Sequence, residues 1–331
     1  MAKYVIKRLV LLIPVMLGVA FIIFSIMNFI PGDPASLILG ESAPAEAREQ
    51  LNEELGMNEP FIVRFADYIW DALHGDFGES WRTREPVFEE IFARIPTTIY
   101  LAAGAMLLAV LLGVPLGILS AVKQYSFLDV LNSVVAMFLS AIPAFWLGLL
   151  SILLFALKLR LLPSDGADTA SAFILPIVTL ALPGAAELLR LTRSTMLEII
   201  RQDYIRTARA KGASERIVIW RHALRNATLP IITVAGMYFG SLLGGSVITE
   251  SVFSMPGVGS LTITAIRSKD IPQVMACVLL MAALFCLIML LVDLLYAFLD
   301  PRIRARYTKY RGGSCHDKRK SFLPPEKKPD G

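Results

Sequence analysis

The sequence predicts an all-α polytopic membrane protein with six transmembrane helices and both termini on the cytoplasmic side. Three observations carry that expectation: an apolar composition, six apolar runs of bilayer length, and a lopsided distribution of basic residues. Of the 331 residues, 55% are hydrophobic and 18% charged, with a mean hydropathy of +0.61. A soluble globular chain is about 45–50% apolar and about 25% charged. The excess here sits in long runs, as it does in segments solvated by lipid.

A membrane helix takes about 20 mostly apolar residues, and the runs are Leu9–Ile30, Ile99–Val122, Val130–Leu157, Phe173–Leu191, Leu229–Phe253 and Val274–Leu299. Each is read as a helix, because an isolated strand would leave its backbone polar groups unpaired in hydrocarbon. The first run follows basic Lys3, Lys7 and Arg8 but is too long for a leader and lacks a small-x-small cleavage site, so it reads as a retained helix. It stops at Pro31-Gly32-Asp33-Pro34. Pro143, near the middle of the third run, predicts a kink or tilt. The fourth run is interrupted by Pro176, Pro183 and Glu187, which leaves its ends the least defined.

Orientation comes from the basic residues. With the N-terminus inside, the inner pieces hold most of the chain's 32 Lys and Arg, including the row Arg190, Arg193, Arg201, Arg206, Arg209, Lys211, Arg216, Arg221 and Arg225 and a basic tail. That is the positive-inside pattern. The net charge of +4 therefore points to anionic headgroups and not to nucleic acid. The expected organisation is a first helix to residue 30, an outer helical loop 31–97, a five-helix core 98–300 containing an inner loop 192–228, and a partly disordered tail 301–331.

The outer loop is acidic and reads as short helices near Pro44–Leu55, Glu59–Leu73 and Pro86–Arg94. Phe61, Phe65, Ile69 and Leu73 make an apolar stripe on the middle one. The loop reads equally as a cap packed on the membrane helices or as a docking surface for an outer partner. In the inner loop, Thr195–Lys211 predicts a helix continuing the fourth span, ended by Gly212 at positive φ. Ser214 is placed to cap a second short helix with Glu215 in its first turn, before Thr228 and Pro230 open the fifth span. Such an element either passes force to a cytoplasmic partner or rests on headgroups.

Few residues suggest chemistry. Cys277, Cys286 and Cys315 form no disulfide framework, and His74, His222 and His316 are scattered without metal-ligand spacing. Glu187, Glu250 and Asp293 are ionisable groups at or near membrane depth. Glu187 is spaced to pair with Arg190; Glu250 and Asp293 are candidates for a pathway, Glu250 bordering its mouth or reaching water. Gly236, Gly240 and Gly244 form a ridge for close helix packing, against a second subunit and not as a substrate site.

Several stretches then resemble a known family. Tyr204-Ile205-Arg206-Thr207-Ala208-Arg209-Ala210-Lys211-Gly212, followed by Arg221-His222-Ala223-Leu224-Arg225-Asn226, is similar to the permease loop of peptide and nickel ABC importers. So are Pro31-Gly32-Asp33-Pro34, His74-Gly75-Asp76-Phe77-Gly78, the run Thr249-Glu250-Ser251-Val252-Phe253-Ser254-Met255-Pro256-Gly257-Val258-Gly259, and Asp293 with Asp300-Pro301-Arg302. The likeness covers about residues 1–307. The general importer signature, Glu-Ala-Ala with a later Gly, appears here as Arg206-Thr207-Ala208 with Gly212, lacking the leading Glu.

The resemblance implies a type I importer permease fold. It implies a coupling segment over Arg206, Thr207, Ala208, Arg209, Ala210, Lys211, Gly212, Ala213, Ser214, Glu215 and Arg216. It also implies a homologous second permease, two ATPase subunits that use ATP and Mg, and an extracytoplasmic binding protein that delivers substrate. The chain has no G-x-x-x-x-G-K-[ST] segment, so the expectation is a bacterial inner-membrane subunit that binds no cofactor and hydrolyses no ATP itself. The implied cargo is a di- or oligopeptide, with nickel, a metal chelate or glutathione as alternatives. A secondary transporter would predict an internal repeat, and none is clear. An assembly subunit would leave the inner loop lying on headgroups. An intramembrane enzyme would need paired Asp, His-Glu-x-x-His or Ser/His groups in the spans, and none is evident.

Overall fold

The computed structural model describes residues 2–29, 34–40 and 42–299. The Pro31-Gly32-Asp33 stop and the tail lie outside them, with the expectations made for both. Among the described residues the elements are helical, apart from one isolated bridge between Glu79 and Pro86. After α1 (Ala2–Phe29), the outer loop forms α2 (Pro34–Leu39), α3 (Ala45–Glu54) and α4 (Phe61–Leu73). The third outer helix expected near Pro86–Arg94 is instead the start of α5 (Val87–Val122), which passes residue 97 without a break.

The third crossing departs most from expectation. It consists of α6 (Phe127–Ala141) and α7 (Ala144–Ser151), the latter extended by a π-helical stretch Ile152–Lys158, with the two parts bent by 99°. The expected kink is a full break because the residue before a proline is driven out of the helical region. Ile142 sits at φ −82, ψ 127, and Pro143 restarts the helix as its N-cap.

Next come α8 (Ile174–Ile200), α9 (Asp203–Ala210), α10 (Glu215–Ile217), α11 (Leu224–Val252), α12 (Val258–Arg267) and α13 (Ile271–Leu299). The expected continuous helix through Thr195–Lys211 is divided at Arg201 and Gln202, where Gln202 turns extended. In contrast, α10 is not separate from the fifth crossing: a π-helical stretch Val218–Ala223 joins it to α11, and Pro230 lies inside that helix. A π turn takes up one extra residue without losing the ladder.

Five helices are long and apolar enough to cross a membrane, and the bent pair makes a sixth crossing. The pair starts where Asp129 meets Arg193 late in α8 and reaches Gly148 beside Thr179 early in α8 and Phe253 past the end of α11. It therefore traverses the bundle and does not turn back. Leu107, Leu111, Phe138 and Leu153 are about 60% exposed or more, an apolar belt that suits lipid and not water.

The core is built on α5 against α8, which run parallel. Gly113 and Gly117, spaced for close helix approach, meet Ala185, Leu188, Leu189 and Thr192 so closely that a Cβ at Gly113 would lie 2.5 Å from the Ala185 carbonyl oxygen. Tyr238 ties α11 to the same helix, donating its hydroxyl to the Leu180 carbonyl across Gly184.

Gly113→Val is expected to destabilise the chain by about 2 kcal/mol or more, since backbone and not a flexible side chain must give way. Gly244→Val, at a site with nothing within 4 Å, should leave the isolated chain unchanged. Thermal unfolding in detergent, followed by helical circular dichroism, distinguishes the two. Equal melting of both variants would remove the α5–α8 contact as a determinant of the fold.

Candidate functional site

The basic loop forms a projecting tip. α9 ends in a Schellman motif: Gly212, at φ +81, donates its N–H to the Arg209 carbonyl at 2.9 Å, and Ala213 donates to the Ala208 carbonyl at 3.2 Å. Positive φ is why glycine stands at position 212. Ser214 occupies the N-cap position of α10, but its side chain makes no cap bond, contrary to expectation. Glu215 closes the turn instead, accepting from Arg209 Nε at 2.7 Å and Nη2 at 3.2 Å. These hydrogen bonds hold the Glu215 carboxyl below its usual range and raise the Arg209 guanidinium.

The tip is anchored from beneath. Ile205 and Val218 are wholly buried, so α9 and the π-helical stretch that follows α10 both insert an apolar side chain into the main core. Asn226 Nδ2 donates to the Tyr204 hydroxyl at 2.9 Å, joining α9 to α11. Arg206, Thr207, Arg209, Ala210, Lys211, Gly212, Ser214, Glu215 and Arg216 remain exposed, while Ala208 and Ala213 are half-buried. Ile217 and Trp220 are also exposed, at 46% and 57%. An apolar edge ringed by cations on a rigid turn has the composition of a contact surface.

Beside the tip, Arg193 on α8 holds buried Asp129 with a two-pronged pair, Nε to Oδ1 at 2.6 Å and Nη2 to Oδ2 at 2.9 Å. Asp129 also accepts from the Tyr125 N–H at 2.9 Å. The pair ties the α5–α6 turn to the helix that leads into the tip. Sequence reading did not single out Asp129; the available signal was Ser126, whose side chain caps the Asp129 N–H at the head of an apolar helix.

At the opposite end, Glu250 does not border a pathway mouth or reach water. It is 0% exposed: Oε1 accepts from Thr98 Oγ1 at 2.8 Å and Ser246 Oγ at 3.1 Å, and Oε2 from the Ser260 N–H at 2.9 Å. Thr98 Oγ1 in turn accepts from the Val258 N–H at 2.9 Å. Glu250 therefore pins α5 and α12 to the end of α11. Asp270 plays a similar part unforeseen from sequence, its buried carboxylate accepting from the Ser80 hydroxyl and from the N–H groups of Trp81, Arg82 and Gln273. Ser80, Trp81 and Arg82 are remote from Asp270 in sequence, which hides the role.

The glycine ridge is divided. Gly236 faces Val292 and Gly240 faces Phe285 and Met289, all on α13 of the same chain, while Gly244 faces open space. Asp293 is half-buried on α13. Glu187 and Arg190 are both exposed and do not form the expected ion pair with each other. Cys277 and Cys286 are buried free thiols. Among the described residues no group of His, Cys, Asp and Glu is arranged to hold a metal ion.

Comparison with known proteins bears on most of the chain. The family described as binding-protein-dependent transport system inner membrane component matches residues 113–305, and its N-terminal counterpart matches residues 1–102. The chain is 41% identical to the dipeptide transport system permease protein DppB of Alkalihalophilus pseudofirmus, over 92% of this chain and 100% of the relative. It is 43% identical to the glutathione transport system permease protein GsiC of Salmonella typhimurium and 42% to that of Escherichia coli K12, each over 92% of this chain and 99% of the relative. Two inward-facing crystal forms of the MetNI methionine ABC transporter superpose on it with TM-scores of 0.54 and 0.55. Their identities are 19% and 21%, covering 65% of this chain and 99% of theirs, a likeness of fold.

Two outcomes follow from the buried and exposed carboxylates. Glu250→Gln turns one acceptor toward the Ser260 N–H into a donor, a loss of about 1–3 kcal/mol. Amide exchange in α12 should accelerate while exchange in α9 stays as it was; unaltered α12 exchange would show that the pin does not hold it. Glu215, with its depressed folded pKa, contributes to the turn at neutral pH, and that contribution fades as pH falls through the folded value. Trp220 fluorescence should thus report an acid transition in the parent that is missing from Glu215→Gln. A transition of the same size in both would assign it to another group.

Proposed function

The chain belongs to the binding-protein-dependent transport system inner membrane component family, and we propose that it forms half of an import pathway for short peptides in a bacterial inner membrane. It is a multi-pass membrane protein and a permease subunit of an ATP-binding-cassette importer. In this reading a homologous second permease supplies the other half, an extracytoplasmic binding protein delivers the cargo, and two ATPase subunits bind ATP and Mg. This chain binds neither and hydrolyses nothing. The DppB and GsiC relatives support short peptides; glutathione, itself a tripeptide, is the second reading, favoured by the two GsiC relatives.

The observation that carries the proposal is the tip. Arg206 through Arg216 form a turn that is rigid within itself and continuous with α11 through the π-helical stretch. A push on such a turn is delivered to a membrane-crossing helix and is not absorbed by a loose loop. The exposed Ile217 and Trp220, among Arg206, Arg216 and Arg221, suit a cleft that is apolar within and acidic at its rim. On the flank of α11 about 90° round from Gly236 and Gly240, the residues Met237, Ser241, Gly244 and Ile248 are exposed in one row, small and polar groups among apolar ones. That face is our assignment for the side turned to the pathway and the second permease. Glu250 is buried elsewhere.

Gly212 separates fold from coupling. No atom lies within 4 Å of a Cβ placed there, so within the chain a substitution meets only the strain of positive φ, about 1 kcal/mol. Gly212→Asp is expected to insert normally and to lose transport, with ATP hydrolysis no longer responding to loaded binding protein in reconstituted vesicles. Gly212→Asn, which tolerates positive φ, isolates the contact from the strain. Loss with both variants places a partner against Gly212, whereas normal import with Gly212→Asp would rule the tip out as the coupling element.

A further inference from the structure

We propose that α4 lies in the outer lipid–water interface, with the face formed by Ile62, Ala66, Trp70 and Leu73 immersed in the outer leaflet. Successive helical residues are about 100° apart, and α4 divides on that spacing into three sectors. Phe61, Phe65 and Tyr68 form one, packed together with Val278 against the buried cluster of Phe24 and Met27 of α1, Ala265 of α12 and Val274 and Met275 of α13. Asp67, Asp71 and His74 form an exposed polar one. Between them lies the apolar row, with Ile62 74%, Trp70 65% and Leu73 76% exposed. The expected stripe Phe61, Phe65, Ile69 and Leu73 is thereby corrected: Leu73 turns away from the packed face. A helix between protein and water needs two sectors; a third that is apolar and uncovered calls for a third medium.

The depth of α4 identifies that medium. The apolar stretch Leu9–Phe29 of α1 has 21 residues, about 31 Å of helix and about the thickness of the hydrocarbon core. The α4 rings meet α1 at Phe24 and Phe21, with centroids 5.2 Å (Phe24–Phe61), 5.4 Å (Phe24–Phe65) and 5.5 Å (Phe21–Phe65) apart. Those residues lie about 8 and 12 Å inside the outer end of the stretch at 1.5 Å per residue. A second gauge agrees: Val274, Met275 and Val278 belong to the first two turns of α13, which starts at Ile271. The packed side of α4 is therefore level with the outer leaflet.

The lipid-facing surface of α1 also runs directly onto α4. Ile22 and Ile26 are 57% and 53% exposed, and Phe21, at 47%, meets Phe61 and Phe65 edge-on. Arg64 reaches Asn28 at 3.0 Å near the outer end of α1, where a cation finds water. Trp70 has the amphipathic ring common at this level. With its apolar row in lipid, α4 fixes the height of the outer loop and leaves its acidic side to water. The inference requires only that the chain spans a membrane, not that it carries peptides.

The test is spin labelling of Ile62→Cys, Trp70→Cys, Leu73→Cys, Asp67→Cys and Asp71→Cys, with Cys315 replaced by serine and the buried Cys277 and Cys286 retained. The assembled transporter is placed in phosphatidylethanolamine–phosphatidylglycerol nanodiscs without binding protein. Labels at 62, 70 and 73 should collide several-fold more with oxygen, relative to a water-soluble nickel chelate, than labels at 67 and 71. Equal chelate access at all five positions would put the row in water. Protection of 62, 70 and 73 from both reagents would put it against another protein; either result overturns the proposal.

Discussion

Helices α5 and α8 can lie side by side only because Gly113 and Gly117 place no side chain between them, and the remaining elements take their positions from that contact. A lipid environment supplies little hydrophobic force between helices, so close van der Waals approach matters more than in water. α6 lies on α8 through Ala136 against Ala186 and Leu189. α11 reaches α8 through Tyr238, and α13 reaches α11 at Gly236 and Gly240. Small residues thus recur where two crossings touch, while large apolar side chains face outward.

Polar groups do a different task at the two ends of the bundle. Removing a carboxylate from water is costly unless its oxygens are fully hydrogen-bonded. Glu250 and Asp270 meet that condition at the outer end and Asp129 at the inner end. Each accepts from partners on different elements, so each holds one arrangement of those elements and disfavours its neighbours. The outer pins join α11, α5, α12 and the loop before α5. The inner pin joins the α5–α6 turn to α8. Between the pins, the tip at Gly212 is tied to α11 through Asn226 and the π-helical stretch, and to the main core through Ile205 and Val218.

That connection suits a permease whose energy source lies in another subunit. In the proposed reading, force applied at Arg206–Arg216 would enter α11 through the π-helical stretch, and α11 carries its exposed row at Met237, Ser241, Gly244 and Ile248. The break at Pro143 shortens the straight part of the third crossing beside that helix. At the outer end, the aromatic contacts of Phe61 and Phe65 with Phe21 and Phe24 hold α4 against α1.

The crossings were legible in the sequence because lipid imposes composition on every segment it surrounds, whatever the neighbours are. The positive φ at Gly212 was legible for a similar reason: a helix stop is a local backbone event, with basic residues just before it. Pro143 announced a disturbance, but only the packed bundle decided that Ile142 would leave the helix and bend the crossing by 99°. Pro230 reads as the opening of the fifth span, yet it lies inside α11, which the π-helical stretch Val218–Ala223 joins to α10. Glu250 was visible as a costly residue, yet its role depends on Thr98 and Ser260, and Asp129 depends on Arg193. Those partners come from helices distant in the chain, and no local pattern records which helices will be neighbours. The sequence by itself determined which segments are apolar enough to cross; tertiary packing decided where the third crossing breaks, which charges are pins, which glycines are contacts and which faces stay open.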